Sequence, residues 1–322
     1  MIWLLAACSC REPTGPGARA TPSTPGDLSP PDTGDEPGHS AGPLTWVWLD
    51  NGYTYSCGLL SDGRLECWGR EDWVRRASRE GLMQFDLASG SGCGLDALGR
   101  VQCWCQEHSR HTCREDVPIE TGFVKVLTGE YVACAEDSDR MLTCWGDDDL
   151  VGAPTARVDH WDLESNGGCA VVGGVIECWG ELEDLWDDGP PEVDATPPEG
   201  TGFVEVTLGI THGCALDFTG EVWCWGRTGF QDPFPDPPPG PFVHLESWNQ
   251  ITCGFRSDHR MECWYYLPGM LDEWSWPRDE QWAQVGLGGW DACGLTLDGR
   301  ALCFPAEYES YGEQQVPDLD DL

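Results

Sequence analysis

Residues 103–113 read CWCQEHSRHTC, and within them Cys105, His108, His111 and Cys113 offer two sulfurs and two imidazoles. That is the donor set of a tetrahedral zinc site. The same two cysteines can instead close a loop as a disulfide, leaving the histidines incidental. The remaining cysteines decide between these readings. Of eighteen in the chain, fourteen form seven pairs: Cys57/Cys67, Cys93/Cys103, Cys134/Cys144, Cys169/Cys178, Cys214/Cys224, Cys253/Cys263 and Cys293/Cys303. Six pairs are ten residues apart and one is nine. No C-x-x-C occurs, which counts against repeated zinc or dithiol sites, and so many cysteines suit an oxidising compartment. The expected chemistry is therefore oxidation, with Cys105–Cys113 as an eighth bridge and no metal.

Other chemistry finds less footing. SDGRLECW, from Ser61 to Trp68, comes near the sialidase Asp-box S-x-D-x-G-x-x-W, but Asp62 directly precedes Gly63 and the spacing fails. No trio of substrate-clamping arginines is identifiable. Among 56 acidic residues a pair of carboxylates at glycosidase spacing arises by chance and argues nothing. G-x-S-x-G, H-E-x-x-H and phosphate-loop motifs are missing. Asp147, Asp148 and Asp149 lack the alternate-residue spacing of a calcium loop and read as a solvated turn. The formal charge of −38 repels phosphate backbones, so nucleic acid is excluded as a partner. No catalytic residue and no cofactor is expected.

What must position these cysteines is a repeated hairpin. The first cysteines of successive pairs lie 36, 41, 35, 45, 39 and 40 residues apart, a period that points to propeller blades. In TGFVEVTLGITHGCALDFTGEVWCWG (residues 201–226), three β-rich runs are separated by glycine-bearing turns, and helical periodicity is absent. A three-residue loop such as Ser61-Asp62-Gly63 sets Cys57 and Cys67 directly opposite, with glycine in the left-handed position. Gly99, Gly220 and Gly299 recur there, whereas Arg140 and His259 fill that position in two copies, where the sequence marks the turn less clearly. The nine-residue pair centres on Gly173-Gly174, and a two-residue primed turn restores the opposition. Opposed cysteines on adjacent antiparallel strands are within disulfide range.

CALDFTGEVWCWG and CGLTLDGRALCF resemble the regulator-of-chromosome-condensation repeat in its cysteine-bearing bacterial form, over about residues 44–304. The resemblance implies an all-β, seven-bladed propeller. A Gly-x-x-His element survives only as Gly209 and His212, and Phe304 stands where the other copies have tryptophan. The exchange-factor activity of the eukaryotic founder needs a wedge insertion and a basic tail, and neither is present.

Four regions are expected. Residues 1–8 end in a lipobox-like Leu5-Ala6-Ala7-Cys8 with Cys8 as lipidation site, although the basic n-region is missing and only seven residues precede the cysteine. Residues 9–43 form a Pro/Gly-rich tether unable to bury a core. Residues 44–304 form the propeller. Residues 305–322 are an acidic tail, whose Glu313–Val316 supplies an outer strand to the last blade. The chain is thus read as exported, at the bacterial outer membrane or cell surface, or else secreted or periplasmic, with membrane contact only through the lipid.

Six tryptophans, Trp68, Trp104, Trp145, Trp179, Trp225 and Trp264, belong to the repeat and are expected between blades. Outside it lie Trp73, Trp186, Trp248, Trp274, Trp276 and Trp290, with Tyr265 and Tyr266. With Asp147–Asp149 and Asp187–Asp188 they are expected on the end opposite the stapled turns, as a binding face. Such a face suits a protein partner with a basic surface. A glycan stacked on the tryptophans is the alternative, and a propeller glycosidase comes third.

Overall fold

The structure, a computed structural model, describes residues 43–69, 79–105, 112–113, 116–147, 152–165, 167–180, 182, 196–226, 236–265, 279–288, 291–305 and 316–319. Cys8 and nearly all of the expected tether therefore lie outside the described residues. Among those described, twenty-one strands form seven antiparallel sheets of three, each in chain order. The sheets are the blades of a propeller: residues 46–69, 82–105, 123–146, 160–180, 203–226, 244–265 and 282–305. In the fifth, Phe203–Leu208 pairs with His212–Asp217, which pairs with Val222–Gly226. The first strand of each blade is innermost and faces its counterparts around the axis.

One disulfide joins the middle and outer strands of each blade, and its cysteines are register partners. All seven pairs are bonded as the spacing predicts: Cys57–Cys67, Cys93–Cys103, Cys134–Cys144, Cys169–Cys178, Cys214–Cys224, Cys253–Cys263 and Cys293–Cys303. Their Cα atoms are 4.0–4.1 Å apart. The two ends of a bridge differ in environment, which spacing alone does not reveal. The first cysteine of every pair, on the middle strand, is fully buried. On the outer strand only Cys67 is buried; Cys103, Cys144, Cys224, Cys263 and Cys303 are half-buried and Cys178 is exposed. A reductant would therefore reach the second cysteine first in the six blades where it is not buried.

The stapled face of one blade packs on the tryptophan face of the next. Cys169 and Val171 of blade 4 meet Val206, Leu208 and Trp225 of blade 5. Cys293 and Leu295 of blade 7 meet Trp46, Leu49 and Trp68 of blade 1, which closes the ring. Phe304 keeps the tryptophan's place, edge-on to Trp282 with centroids 5.2 Å apart. Each repeat tryptophan needs a small residue opposite it. A Cβ on Gly213 would lie 2.3 Å from the Trp225 ring, so that ring rests on bare backbone.

The turns keep their conformation even without glycine. Gly63, Gly99, Gly220 and Gly299 have φ of 67–87°, and Arg140 and His259 adopt 62° and 65°. The turn is therefore the same at these two sites, held by side-chain-bearing residues in the left-handed region. The primed turn at Gly173-Gly174 is present, with φ of 60° and 84°. Left-handed backbone costs a residue with a Cβ about 1–2 kcal/mol. His259→Gly should accordingly raise stability by about 1 kcal/mol and the thermal midpoint by about 2 °C. A midpoint that fell on this exchange would show that the His259 side chain supports the turn.

His212 is fully buried, with its Nε2 2.7 Å from Thr252 Oγ1, whose hydroxyl also lies 2.8 Å from Ser247 Oγ. Burial pushes the imidazole down to about 3, so the surviving Gly-x-x-His element is a neutral strut between blades 5 and 6. At the C-terminus, Val316 and Leu319 pack against the closing layer; residues 313–315 of the expected outer strand lie outside the described residues.

Candidate functional site at the axial channel

The innermost strands share one burial pattern. In Trp46–Asn51, Leu82–Leu87 and Phe123–Thr128 it reads buried, exposed, half-buried, buried, half-buried, buried. Plain alternation would put every second residue toward the axis. A register shift between the first and third residues in five blades adds one residue, so two successive side chains face outward from the core. Three tiers line the axis as a result.

The outermost tier is the added residue: Val47, Met83, Val124, Val204 and Ala283, with Val243 at the same position in blade 6. All six are exposed, Val124 by 56%. They begin the strands beside the stapled turns, where Thr45 O accepts from Ser61 N at 2.9 Å. The exception is Asp159, whose carboxylate is occupied by Gly173 N at 2.8 Å. The second tier is mixed: Trp48, Gln84, Lys125, His160, Glu205, His244 and Gln284. In the third tier, the residue paired with the first cysteine of each hairpin is Asp50, Asp86, Asp162 or Glu246 in four of seven blades.

These side chains also seal the ring. The inner strand of a blade is a sheet edge, and its N–H groups need partners. Asp50 Oδ2 accepts from Leu87 N of the next blade at 2.8 Å, Asp86 Oδ2 from Thr128 N at 2.6 Å, and Asp162 Oδ2 from Leu208 N at 2.7 Å. One tier up, Glu205 Oε1 accepts from Leu245 N at 2.7 Å and Gln284 Oε1 from Leu49 N at 3.1 Å. Edge protection and channel lining are thus one device.

The electrostatics follow from depth and crowding. Burial, with the charge of Glu246 adding to it, pushes Asp50 up to about 8 against hydrogen bonds from two amides. Burial and the neighbouring Asp50 raise Asp86 well above the carboxylate range. Asp162 is pushed up to about 6 and Glu164 to about 7, burial leading in both. In the second tier, burial disfavours charge on either partner, yet Glu205 and His244, 2.7 Å apart, hold each other ionised: the glutamate is lowered and the histidine raised to about 10. Burial and the nearby Lys125 lower His160 to about 4, so it is neutral.

The residues expected to form a binding face are only partly described. Trp73, Asp148, Asp149, Trp186, Asp187, Asp188, Tyr266, Trp274, Trp276 and Trp290 lie outside the described residues. Asp147 and Trp248 lie at the end opposite the stapled turns, Asp147 N donating to Tyr131 O at 3.0 Å and Trp248 half-buried against the layer between blades 6 and 7. The backbone of Tyr265 ends a strand there. Exposed aromatics among the described residues are scattered: Tyr53 at Asp147's end, Phe218, 75% exposed, in a stapled turn, and Trp223 on the third strand of blade 5. Cys105 and Cys113 are disulfide-bonded with Cα atoms 6.0 Å apart, which removes both sulfurs from any metal site. His108 and His111 lie outside the described residues. The channel tiers were missed because identity varies from blade to blade. Their signal was positional: the third tier always lies seven residues before the first cysteine of a pair.

Seven stapled blades around a lined axis define a disulfide-rich β-propeller. Its fifth repeat is RCC1-like: residues 203–230 match the model of the Regulator of chromosome condensation (RCC1) repeat. The fold is shared with the CRINKLY WD40 ectodomain of the Arabidopsis thaliana receptor kinase ACR4, at 18% identity and a TM-score of 0.62, covering 84% of this chain and all of that one. It is also shared with the ectodomain of the Physcomitrella patens receptor kinase CR4, at 22% identity and a TM-score of 0.63, covering 82% and 75%.

Proposed function

We propose that this protein is a non-catalytic, exported propeller that serves as a platform for binding another protein. The observation that supports it best is a rigid closed ring with apolar side chains displayed in register on one end and carboxylates clustered along the axis. Apolar anchors supply interface energy, while charge steers the partner and selects it. Eight disulfides suit folding outside a reducing compartment. Residues 9–43 would act as a tether from a lipid on Cys8, placing the propeller at the outer membrane or cell surface.

The test is direct. Oxidised protein is immobilised and exposed to an extract of cells that make it; any retained protein is purified and titrated against the propeller alone. A two-component complex weakened by salt is expected. Binding on a glycan array, with no protein retained, would replace this reading by the carbohydrate-binding one.

A further inference from the structure

We propose that the axial channel takes a short extended protein segment, entering from the stapled-turn end, with a lysine or arginine at its tip and aliphatic side chains behind it. This rests on the platform reading and narrows it to one site and one partner chemistry.

The mouth supplies the first half. Val47, Met83, Val124, Val204, Val243 and Ala283 are exposed at equivalent positions, and the added residue in five strands turns them out of the core. A protein gains nothing in stability from exposing six aliphatic groups around one opening, and apolar groups so gathered, interrupted only at Asp159 of blade 4, mark a surface that is covered in use. The interior supplies the second half. Three residues further along each strand, about 10 Å deeper, lie Asp50, Asp86, Asp162 and Glu246. A basic side chain on a backbone held just inside the rim spans that distance.

The tip would meet an acceptor left unpaired among the described residues. Asn51 is 1% exposed, its Nδ2 donates to the carbonyl of Gly286 (the third-tier position of blade 7), and its Oδ1 has no hydrogen-bond partner among the described residues. A buried acceptor beside the carboxylates suits an ammonium or guanidinium donor. Other occupants fit less well. A second copy brings the same acidic charge, and a flat bilayer cannot reach the third tier.

The probe is a fluorescein-labelled heptapeptide with one central arginine between leucines, titrated into the full oxidised chain at low salt. Saturable binding is expected, weakened at least about tenfold by replacing the arginine with glutamine, by Asp50→Asn with Asp162→Asn, and by Val124→Asp. Val124 is exposed, so circular dichroism should show Val124→Asp folded; the Asn pair also loses acceptors for Leu87 N and Leu208 N, so if it unfolds the decision rests on Val124→Asp and on the peptide's arginine. Absence of binding, or binding indifferent to these changes, overturns the proposal. So does self-association that Val124→Asp abolishes in place of peptide binding. A natural partner held equally by Val124→Asp and by the parent would overturn the channel assignment and leave the platform reading standing. Peptide binding without any natural protein partner would uphold the channel and sink the platform.

Discussion

Reduced and alkylated protein will be unfolded at 25 °C. Each hairpin bridge closes a loop of about ten residues, worth about 2–3 kcal/mol if the reduced hairpin were fully disordered. A turn that still orders the hairpin halves that, so seven bridges contribute roughly 10 kcal/mol, comparable to the whole stability of an ordinary domain. The cores cannot make up the loss, because the layers between blades are built around the cysteines themselves. Far-ultraviolet circular dichroism before and after alkylation reads the result. By contrast, Cys105→Ser with Cys113→Ser should leave the ring folded, since that bridge runs from the end of a third strand to Cys113 and joins no two strands of a blade. Retention of the strand spectrum by fully alkylated protein would show that packing alone holds the blades.

Stability will fall as pH rises from about 6.5 to 9. Asp50, Asp86 and Glu164 have folded values raised above their unfolded ones, as does His244. A group so raised binds its proton more tightly when folded, and its contribution disappears as pH climbs through the folded value. For Asp50 that loss runs from about 4 to about 8, for Glu164 to about 7, and for His244 from about 6.5 to about 10. His160 and His212 act oppositely, their folded values being lowered, but their gain is complete by about pH 6.5. Above that pH only losses remain. A drop in thermal midpoint of about 5–10 °C is expected across the window, and Asp50→Asn with Asp86→Asn should flatten it. A midpoint that rose with pH would mean that the channel carboxylates are already ionised and compensated.

The cysteines made the architecture legible. They mark register directly, so seven pairs at a near-constant period announced seven hairpins, and the shortened pair at Cys169–Cys178 matched its Gly-Gly turn. Phe304 could also be placed, because the cysteine before it fixes its strand position. The unequal burial of the two sulfurs could not be read, since it depends on how much of each outer strand the next blade covers. The channel was harder still. Asp50, Asp86, Leu127, Asp162, Thr207, Glu246 and Gly286 occupy one position with five chemistries. Only counting back from the cysteines would have gathered them. The added residue in the inner strands carries no signature of its own, since Val47 or Val204 reads as one more β-former in an apolar run. The expected aromatic face drew on segments after the third strand, where spacing between repeats varies and register arguments lose their hold.

Every hairpin bridge joins strands of the same blade, and among the described residues no disulfide crosses from one blade to the next. Pulled from its two ends, such a chain would part at the seam between blades 7 and 1 and release only the lengths between hairpins. Each stapled ribbon would survive as an inextensible loop, so the propeller could be stretched and recoil without losing any hairpin it needs to close again.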